Sequence, residues 1–525
     1  MASIFNRREF MRQSTLLGLS GLLLPHRVWG AQEAFPIAQT TYGKVRGMDV
    51  SGIKTFRGIH YAASTAGPNR FMPPRKPQPW KGVKDAMAYG PASPQMPGNP
   101  TDLYTEAVMW DAHVKPGISE DCLVLNVWTP GLADGGKRPV MFYIHGGGFT
   151  SGSGGYPFDG DPMARLGDVV VVTVNERLGP LGFLDLHAIG WPDEFRYAGV
   201  AGMMDLVAAL EWVRDNAESF GGDPGNVMIF GQSGGAAKTS LLLGMPVAKG
   251  LFHRAAAQSG SLLKASSAKQ GAEAASRLVA ELGMSAGKPH EIQNIDWTAI
   301  IEAKANSGFA PALQKEVIPH DPFDPAAPQE SRDVPLLVGY LREDSGYRGP
   351  TGNITEAELE AWVRQAHPAK ADEILKLYRG VYPDATPYQI RARIATDPGT
   401  RQHAEMMAER KADQHGAPAY MYLVEWPSPA FEGRFGAVHG TDLGLALADP
   451  RIPIEGNTPT ARKLAKIVGS CYAAFARTGN PNCDQVPKWP PYDRASRATM
   501  IYEQECRVEN DPTGVLRSYW EGAQA

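Results

Sequence analysis

The chain has 525 residues, of which 43% are hydrophobic and 21% are charged, and its formal net charge is −4. This length exceeds that of a typical domain with one hydrophobic core, although a large α/β sheet can carry many insertions and still form a single domain. The composition is typical of a globular protein. No dense cluster of Lys and Arg indicates a nucleic-acid partner.

The N-terminus has the pattern of an export signal. Arg7 and Arg8 precede a short apolar run over residues 14–24. A bilayer-spanning helix needs about 20 apolar residues, so this run is too short, and no other segment has that character. Paired arginines before such a run predict a twin-arginine signal peptide over residues 1–30, with a chance amphipathic start or an uncleaved anchor as the alternative. We therefore expect a periplasmic or secreted bacterial protein with no integral membrane span in its mature chain.

The chain has four cysteines, Cys122, Cys471, Cys483 and Cys506. Cys483 and Cys506 flank a Pro-rich turn region, and a disulfide between them is one expectation for an exported protein. Reduced, unpaired thiols are the other expectation. The spacing does not resemble that of a zinc site.

Predicted strands and helices alternate along most of the chain. Residues 168–175 form a continuous β-branched run, which suits a strand buried on both faces. Such alternation predicts an α/β protein with a large, mostly parallel central sheet, helices on both faces and helical insertions. No linker separates domains, so we expect one catalytic domain over residues 31–525. The predicted strands lie at 41–50, 53–61, 123–128, 139–145, 168–175, 226–230, 255–258, 335–340 and 419–425, and the predicted helices at 203–220, 355–366 and 387–394.

Gly231, Ser233 and Gly235 fit the pattern G-x-S-x-G, directly after a predicted strand and before a helix. A nucleophile on such a sharp turn takes strained backbone angles, and small neighbours prevent clashes. The following helix points its N-terminal N–H groups at the reaction centre. The pattern alone also fits a Gly-rich turn, so the prediction of Ser233 as a nucleophile depends on its partners.

A second motif, His-Gly-Gly-Gly-Phe at residues 145–149, ends another predicted strand. Ester hydrolysis passes through a tetrahedral oxyanion that preorganised donors must stabilise. Gly147 and Gly148 can turn their N–H groups toward a substrate because they carry no Cβ. The N–H of Gly234, next after the candidate nucleophile, supplies a further donor. The two motifs together predict an oxyanion hole rather than a flexible loop.

The candidate base is a histidine that follows the nucleophile and the acid along the chain. His367 and His403 lie in polar segments with helical patterns, and His415 precedes the predicted strand 419–425. The base is expected in the loop after the last strand. Among these histidines only His439 satisfies that condition, so we predict it as the base.

The candidate acid follows the predicted strand 335–340, where Glu343 and Asp344 are adjacent. One of the two carboxylates would hold the imidazole tautomer and stabilise the imidazolium. The other is expected to be solvated or paired with Arg342. The residues themselves leave this choice open.

With these motifs the chain resembles the type-B carboxylesterase/lipase family, which includes bacterial para-nitrobenzyl esterases and the cholinesterases. The resemblance implies the α/β-hydrolase fold and a serine carboxylesterase that forms an acyl-enzyme on Ser233 with a small-molecule ester. The expected mechanism requires no metal and no cofactor. The resemblance covers roughly residues 41–520 and depends on the segments 119–126, 145–149, 220–224, 231–235 and 258–261 and on the loop that carries His439.

The resemblance also implies roles for individual residues. The family's acid lies in a G-x-x-x-x-E-G segment, which Gly339 to Ser345 matches with Asp344 at the acid position. This similarity favours Asp344 over Glu343, although an Asp is one methylene shorter than the usual Glu. Ser259 is implied as a support for the acid.

Several positions depart from the family pattern. No cysteine precedes Cys122, and Ser93 occupies the expected position of its disulfide partner. Trp110 resembles the aromatic residue that binds choline in cholinesterases. The alternative is a tryptophan that only packs within its own loop, and this is the more common role of such a residue. Trp110 and Phe149 are candidates for the substrate pocket. Lys238 replaces a small residue behind the elbow, which implies altered packing with catalysis intact.

Two kinds of alternative function remain open from the sequence. The same machinery suits an amidase, a carbamate hydrolase or a specialised polyester or toxin esterase. A non-catalytic, cholinesterase-like adhesion or binding module predicts a missing nucleophile or base, and neither is missing. The sequence specifies neither the natural substrate nor the oligomeric state.

Overall fold

Strands and helices alternate along the chain in the computed structural model, which describes residues 34–97, 103–349 and 353–524. From Phe35 onward the described residues form one compact unit. The predicted signal peptide, residues 1–30, lies outside the described residues, as does the side chain of Trp110. Among the described helices, none combines the length and the apolar character that a bilayer crossing demands.

Fourteen strands occur in the described residues, and most of those that the sequence predicts are found within a few residues of the expected bounds. The predicted strand 41–50 is instead two short strands that belong to different sheets. In chain order they are β1 (Ile37–Gln39), β2 (Lys44–Arg46), β3 (Met48–Val50), β4 (Ile53–His60), β5 (Val83–Asp85), β6 (Val124–Thr129), β7 (Arg138–Ile144), β8 (Val170–Val174), β9 (Gly222–Gln232), β10 (Arg254–Gln258), β11 (Leu336–Leu341), β12 (Ala419–Val424), β13 (Ala498–Tyr502) and β14 (Arg507–Asn510).

Eleven of these strands form one central sheet in the order β14-β13-β12-β11-β10-β9-β7-β8-β6-β4-β3. The strands from β8 through β7 and β9 to β13 pair in parallel. Antiparallel pairs occur only toward the two edges, at β14 and at β6, β4 and β3. The prediction of a large, mostly parallel sheet is confirmed.

The sheet separates two apolar cores. Val170 and Val172 of β8 pack into one core, whereas Val171 between them packs into the other. Successive side chains of a strand point to opposite faces, so a strand covered on both sides needs apolar residues throughout. This explains the continuous β-branched run in the sequence.

Fifteen α-helices surround the sheet in the described part of the chain. Helices from both faces of the sheet contribute to the two cores, as predicted. They are α1 (Leu103–Ala107), α2 (Asp161–Gly167), α3 (Gly179–Phe183), α4 (Ala201–Asn216), α5 (Gly234–Leu243), α6 (Ala268–Glu281), α7 (Glu291–Asn294), α8 (Trp297–Glu302), α9 (Glu356–Ala366), α10 (Ala371–Val381), α11 (Pro387–Thr396), α12 (Gln402–Asp413), α13 (Leu443–Ala446), α14 (Pro459–Thr478) and α15 (Gly514–Gln524).

The helices α9, α10 and α11 form a helical insertion between β11 and β12. They share a third apolar cluster with α15, which includes Leu359, Ile374, Ile390 and Leu516. The predicted helices in this region begin and end within two residues of α9 and α11.

The expectation that His439 follows the last strand is wrong. His439 does follow β12, but β13 and β14 come after it and extend the sheet beyond β12. Both strands are short, at five and four residues. β13 is a short apolar run, which does not distinguish a strand from a buried helix segment, and β14 has a mostly polar sequence. The sequence pattern therefore did not reveal them.

The structure shows all four cysteines as free thiols. The expected disulfide between Cys483 and Cys506 is not formed; instead the Sγ atoms of Cys471 and Cys483 lie 3.7 Å apart. Burial raises the pKa of Cys122 to about 12, and the side chain of Ser93 lies near enough to its thiol to offset part of that rise. Ser93 thus occupies the place beside Cys122 that the resemblance gives to a disulfide partner.

Candidate active site

Ser233 lies at the sharp turn between β9 and α5. Its backbone angles are φ 57° and ψ −121°, a conformation that costs free energy for any residue with a Cβ. Neighbouring elements hold it there, because its N–H donates to the carbonyl of Gln258 at 2.8 Å and its own carbonyl accepts from Ala237 at 3.0 Å. The strained turn presents the hydroxyl to a cavity.

Glycines are required around this turn because the backbone approaches itself closely. A Cβ on Gly231 would lie 2.4 Å from the carbonyl oxygen of Ile144, and a Cβ on Gly235 would lie 2.0 Å from the same atom. A Cβ on Gly234 would lie 2.2 Å from the carbonyl oxygen of Gly148. The elbow and the glycine loop after β7 therefore pack backbone against backbone.

His439 and Asp344 are in direct contact. The Nδ1 atom of His439 lies 2.5 Å from Oδ1 of Asp344, and both side chains are buried. The other carboxylate oxygen of Asp344 accepts the N–H of Leu341 at 3.0 Å. A carboxylate acceptor at Nδ1 keeps the proton on that nitrogen and leaves Nε2 as the basic atom.

A short stretch of backbone pairing brings these two residues together. Glu343 forms an isolated parallel bridge with Val438, and its N–H donates to the carbonyl of Ala437 at 3.1 Å. Asp344 and His439 are the next residue on each side of that bridge. Their contact thus follows from the register of the two loops that leave β11 and β12.

Glu343 has a different role from the one expected. It is neither solvated nor paired with Arg342, because its carboxylate is buried, contacts Arg393 at 2.6 Å and accepts the N–H of Ala437 at 2.8 Å. Arg342 pairs with Glu425 instead. Of the two adjacent carboxylates, only Asp344 contacts the imidazole of His439, whereas Glu343 contacts Arg393.

Gln232, which precedes Ser233, donates its side-chain amide to Nε2 of His439 at 3.2 Å. Ser233 and His439 border the same cavity, but in the described structure Nε2 receives its hydrogen bond from Gln232 rather than from the Ser233 hydroxyl. Gln232 was not among the predicted site residues, although its place beside the candidate nucleophile was a signal.

A stack of two tyrosine rings extends from the imidazole of His439. The ring of Tyr347 stacks on it with 4.7 Å between centroids, and Tyr104 stacks on Tyr347 at 5.1 Å. The hydroxyl of Tyr104 also donates to the carbonyl of His439 at 3.0 Å. Neither tyrosine was predicted, because only the fold brings α1 and the segment after Asp344 together.

The glycine loop presents free donors to the cavity. Gly147 and Gly148 adopt φ values of 90° and 63°, in the left-handed region that glycine tolerates best. Within the described residues, the N–H groups of Gly147, Gly148 and Gly234 donate to no protein acceptor. These are the three donors that the sequence predicts for an oxyanion hole, and the structure places them around Ser233.

Two cavities flank Ser233. The first has a volume of about 410 Å³, and the second has a volume of about 390 Å³ on the side of Phe149 and His403. Phe149 packs edge-on against Phe183 at the border of the second cavity. The first cavity is lined by Tyr104, Thr105, Val108, His113, Gly146, Gly147, Gly148, Phe158, Gln232, Ser233, Tyr347, His439 and Leu443.

Ser259 does not support the acid by a hydrogen bond. Its hydroxyl is buried and has no hydrogen-bond partner among the described residues. Its backbone N–H instead donates to the carbonyl of Gly339 at 2.8 Å and fixes the end of β10. The direct support of Asp344 comes from the N–H of Leu341.

A second buried carboxyl group lies close to the contact between His439 and Asp344. Burial, together with the negative charge of Asp344, raises the pKa of Asp442 to about 7. Tyr422 donates its hydroxyl to Asp442 at 3.3 Å. Asp442, which lies three residues after His439, was not among the predicted site residues.

Comparison with known proteins places the chain among esterases. The profile of the Carboxylesterase family matches residues 34–520. A para-nitrobenzyl esterase from Bacillus subtilis (strain 168) is 34% identical over 503 residues, which cover 92% of this chain and 97% of the relative. The phenmedipham hydrolase of Pseudarthrobacter oxydans is 31% identical over 497 residues, with 90% and 95% covered.

A solved structure agrees with this placement. An esterase from the anaerobe Clostridium hathewayi, described as able to hydrolyze aliphatic aromatic polyesters, superposes with a TM-score of 0.80 at 31% identity, covering 94% of this chain and 99% of that structure. These matches favour neither an amidase nor a non-catalytic binding module, and they indicate small-molecule esters as substrates. The chain therefore belongs to the carboxylesterase family, and it is a serine carboxylesterase with the α/β-hydrolase fold.

Proposed function

We propose that Ser233 is the nucleophile of this esterase, that His439 is its general base and that Asp344 is the acid that orients the base. The observation that carries the proposal is the 2.5 Å contact between His439 Nδ1 and Asp344 Oδ1, beside a serine held at φ 57°. A serine strained in this way, next to an oriented imidazole, is the arrangement that nucleophilic catalysis requires.

The reaction has two halves. His439 Nε2 accepts the hydroxyl proton of Ser233 as its Oγ bonds to the ester carbonyl carbon, and the imidazolium then gives this proton to the departing alcohol oxygen. An acyl-enzyme remains on Ser233. Water loses a proton to Nε2, attacks the acyl carbon and releases the acid by the same route.

The tetrahedral oxyanion of each half is stabilised by the N–H groups of Gly147, Gly148 and Gly234. Their freedom from protein acceptors supports this role, because donors that are already aligned cost no reorganisation when charge develops. Gln232 must release Nε2 of His439 before the proton transfer. Gln232 lines the first cavity, so an ester that binds there displaces its amide from Nε2.

Substitution of Ser233 tests the proposal. Ser233→Ala is expected to lower kcat for a para-nitrophenyl ester by several orders of magnitude and to abolish labelling by a fluorophosphonate. Ser285→Ala, at an exposed serine, serves as the control and is expected to keep both. Near-wild-type turnover in folded Ser233→Ala overturns the assignment of the nucleophile.

The first cavity suits an ester that carries an aromatic group. The rings of Tyr104, Phe158 and Tyr347 line it, and aromatic rings pair favourably with one another. The names of two relatives, a para-nitrobenzyl esterase and an esterase of aliphatic aromatic polyesters, support the same substrate class. In a panel of esters varied separately in acyl and alcohol parts, an aromatic part on one side is expected to raise kcat/KM over its aliphatic counterpart.

We propose further that residues 1–30 are a twin-arginine signal and that residues 31–525 act as one catalytic domain in the periplasm or outside the cell. The family match begins at residue 34, which supports a leader before it. Replacement of Arg7 and Arg8 by lysines is expected to retain the enzyme in the bacterial cytoplasm. Equal export of this variant and the wild type in cell fractionation contradicts the proposal.

A further inference from the structure

Lys238 and Glu176 form an ion pair beneath the active site. Lys238 lies on α5, five residues after Ser233, and Glu176 follows the end of β8. Their charged groups are in direct contact, and neither side chain has any exposed surface. Taking both charges out of water costs free energy, so a pair this deeply buried contributes little net stability.

The pair contacts His145, which begins the glycine loop. Glu176 Oε2 lies 3.2 Å from His145 Nε2, and Lys238 Nζ donates to the carbonyl of His145 at 3.3 Å. The other ring nitrogen of His145 donates to the carbonyl of Gly146 at 2.7 Å. Three elements therefore meet at these charges, namely the end of β7, the end of β8 and α5.

Glu176 is ionised in this cluster. Burial alone would raise the pKa of Glu176, but the attraction of His145 and Lys238 outweighs it and lowers that pKa to about 2. Glu176 is therefore a carboxylate at any working pH. Separation of Lys238 from Glu176 would leave a buried charge uncompensated, so the pair holds α5 against the end of β8.

The cluster joins the same two elements that supply the oxyanion donors. Gly147 and Gly148 belong to the loop that begins at His145, and Gly234 belongs to the helix that carries Lys238. An oxyanion hole built from two separate elements works only if their separation is fixed within a fraction of an ångström. The hydrogen bond from Lys238 to the carbonyl of His145 links α5 to the start of the glycine loop and so bears on the distance between these two elements.

We propose that Lys238 and Glu176 are positioning residues, which hold the glycine loop against α5 through His145 and so set the geometry of the oxyanion hole. This inference rests on the proposed function, since it assumes that Gly147, Gly148 and Gly234 bind the oxyanion. It also replaces the expectation that Lys238 alters only packing. Neither residue touches the substrate.

The test is the double variant Glu176→Leu/Lys238→Met, which removes both charges and leaves no ion unpaired. It is expected to fold with a Tm close to that of the wild type and to lose about 10- to 100-fold in kcat for a para-nitrophenyl ester, with KM changed less than about twofold. The inhibition constant of an aryl trifluoromethyl ketone, whose adduct with serine carries an oxyanion, is expected to rise by the factor by which kcat/KM falls. The inhibition constant of a simple aryl alcohol is expected to stay unchanged.

The matched control is Arg70→Met/Glu120→Leu, which removes another buried ion pair that does not line the first cavity. It is expected to keep kcat and the ketone affinity. Wild-type kcat and ketone affinity in the folded double variant overturn the proposal. If the double variant does not fold, Glu176→Gln/Lys238→Met replaces it, because it also removes both charges but keeps the shape of the glutamate side chain. A loss of less than about threefold in kcat and in ketone affinity is then the contradicting result.

Labelling of the wild type distinguishes a failure of the positioning role from a failure of the proposed function. If a fluorophosphonate labels Ser233 in the wild type and the double variant keeps its kcat, the positioning role fails while the proposed function stands. If the wild type itself is not labelled at Ser233, the proposed function fails first.

Discussion

The Nδ1 atom of His439 lies 2.5 Å from Oδ1 of Asp344, although 95 residues separate the two in the sequence. The contact exists because β11 and β12 are neighbours in the sheet and because Glu343 and Val438, one residue earlier on each side, form a backbone bridge. It gives His439 a fixed tautomer with a basic Nε2.

Asp344→Asn is expected to lower kcat by about 10⁴-fold, because an amide at this position favours the wrong tautomer of His439. Glu343→Gln is the matched comparison, since it changes the adjacent carboxylate. It is expected to lose less kcat but about 3 kcal/mol of unfolding free energy, because Arg393 would be left buried without its partner. Steady-state kinetics and urea unfolding of both variants are the measurements. A greater loss of kcat in Glu343→Gln than in Asp344→Asn would assign the acid to Glu343.

Gly234→Ala is expected to lower kcat by at least about 100-fold, because the added Cβ would lie 2.2 Å from the carbonyl oxygen of Gly148 and push apart the two elements that supply the oxyanion donors. Gly250→Ala is the control, at a glycine with φ 82° and open space around its Cβ position. It is expected to cost stability of about 1 kcal/mol and no kcat. Equal kcat in the two variants contradicts the close packing of elbow and loop.

Asp442 is expected to make the enzyme less stable as the pH rises from about 4 to 7. Its pKa is raised from 3.8 to about 7 in the folded state, so the folded protein holds a proton in this range that the unfolded chain releases. The stability linked to that proton is complete below pH 4 and lost as the pH rises through 7, amounting to about 4 kcal/mol. Asp442→Asn should remove this loss.

The measurement is the free energy of unfolding of the wild type and of Asp442→Asn at pH 4.5 and pH 8. The difference between variant and wild type is expected to favour the variant more at pH 8. A difference that is the same at the two pH values shows that Asp442 does not titrate in this range.

Cys483 is expected to be the first thiol to react with iodoacetamide at pH 7. A hydrogen bond from Cys471 lowers the pKa of Cys483 to about 6, and the thiolate is the reacting form. Burial raises the pKa values of Cys122 and Cys506. Peptide mass spectrometry after brief alkylation of the native protein should find the label on Cys483, and earlier labelling of Cys506 contradicts this order.

The sequence predicts the parts of the fold that local pattern controls. The β-branched run of β8 identifies a strand covered on both faces, and the glycines around Ser233 identify an elbow, because each pattern meets a steric demand within a few residues. The order of nucleophile, acid and base along the chain then led to His439, even though β12 is not the last strand.

The remaining features depend on partners that are distant in the sequence. Glu343 contacts Arg393 across 50 residues, and Lys238 contacts Glu176 across 62. The stacking of Tyr104 and Tyr347 over His439 joins three separate segments. No local periodicity specifies such pairs, since they arise only when the sheet order places their loops together.

A crystal structure of the enzyme after reaction with a fluorophosphonate tests the central claim most directly. The account predicts phosphorus bonded to Oγ of Ser233, with one phosphonyl oxygen about 2.7–3.1 Å from the backbone nitrogens of Gly147, Gly148 and Gly234. It also predicts that Nε2 of His439 faces Ser233 rather than Gln232. An adduct on another residue, or a phosphonyl oxygen turned away from these three nitrogens, would contradict the account.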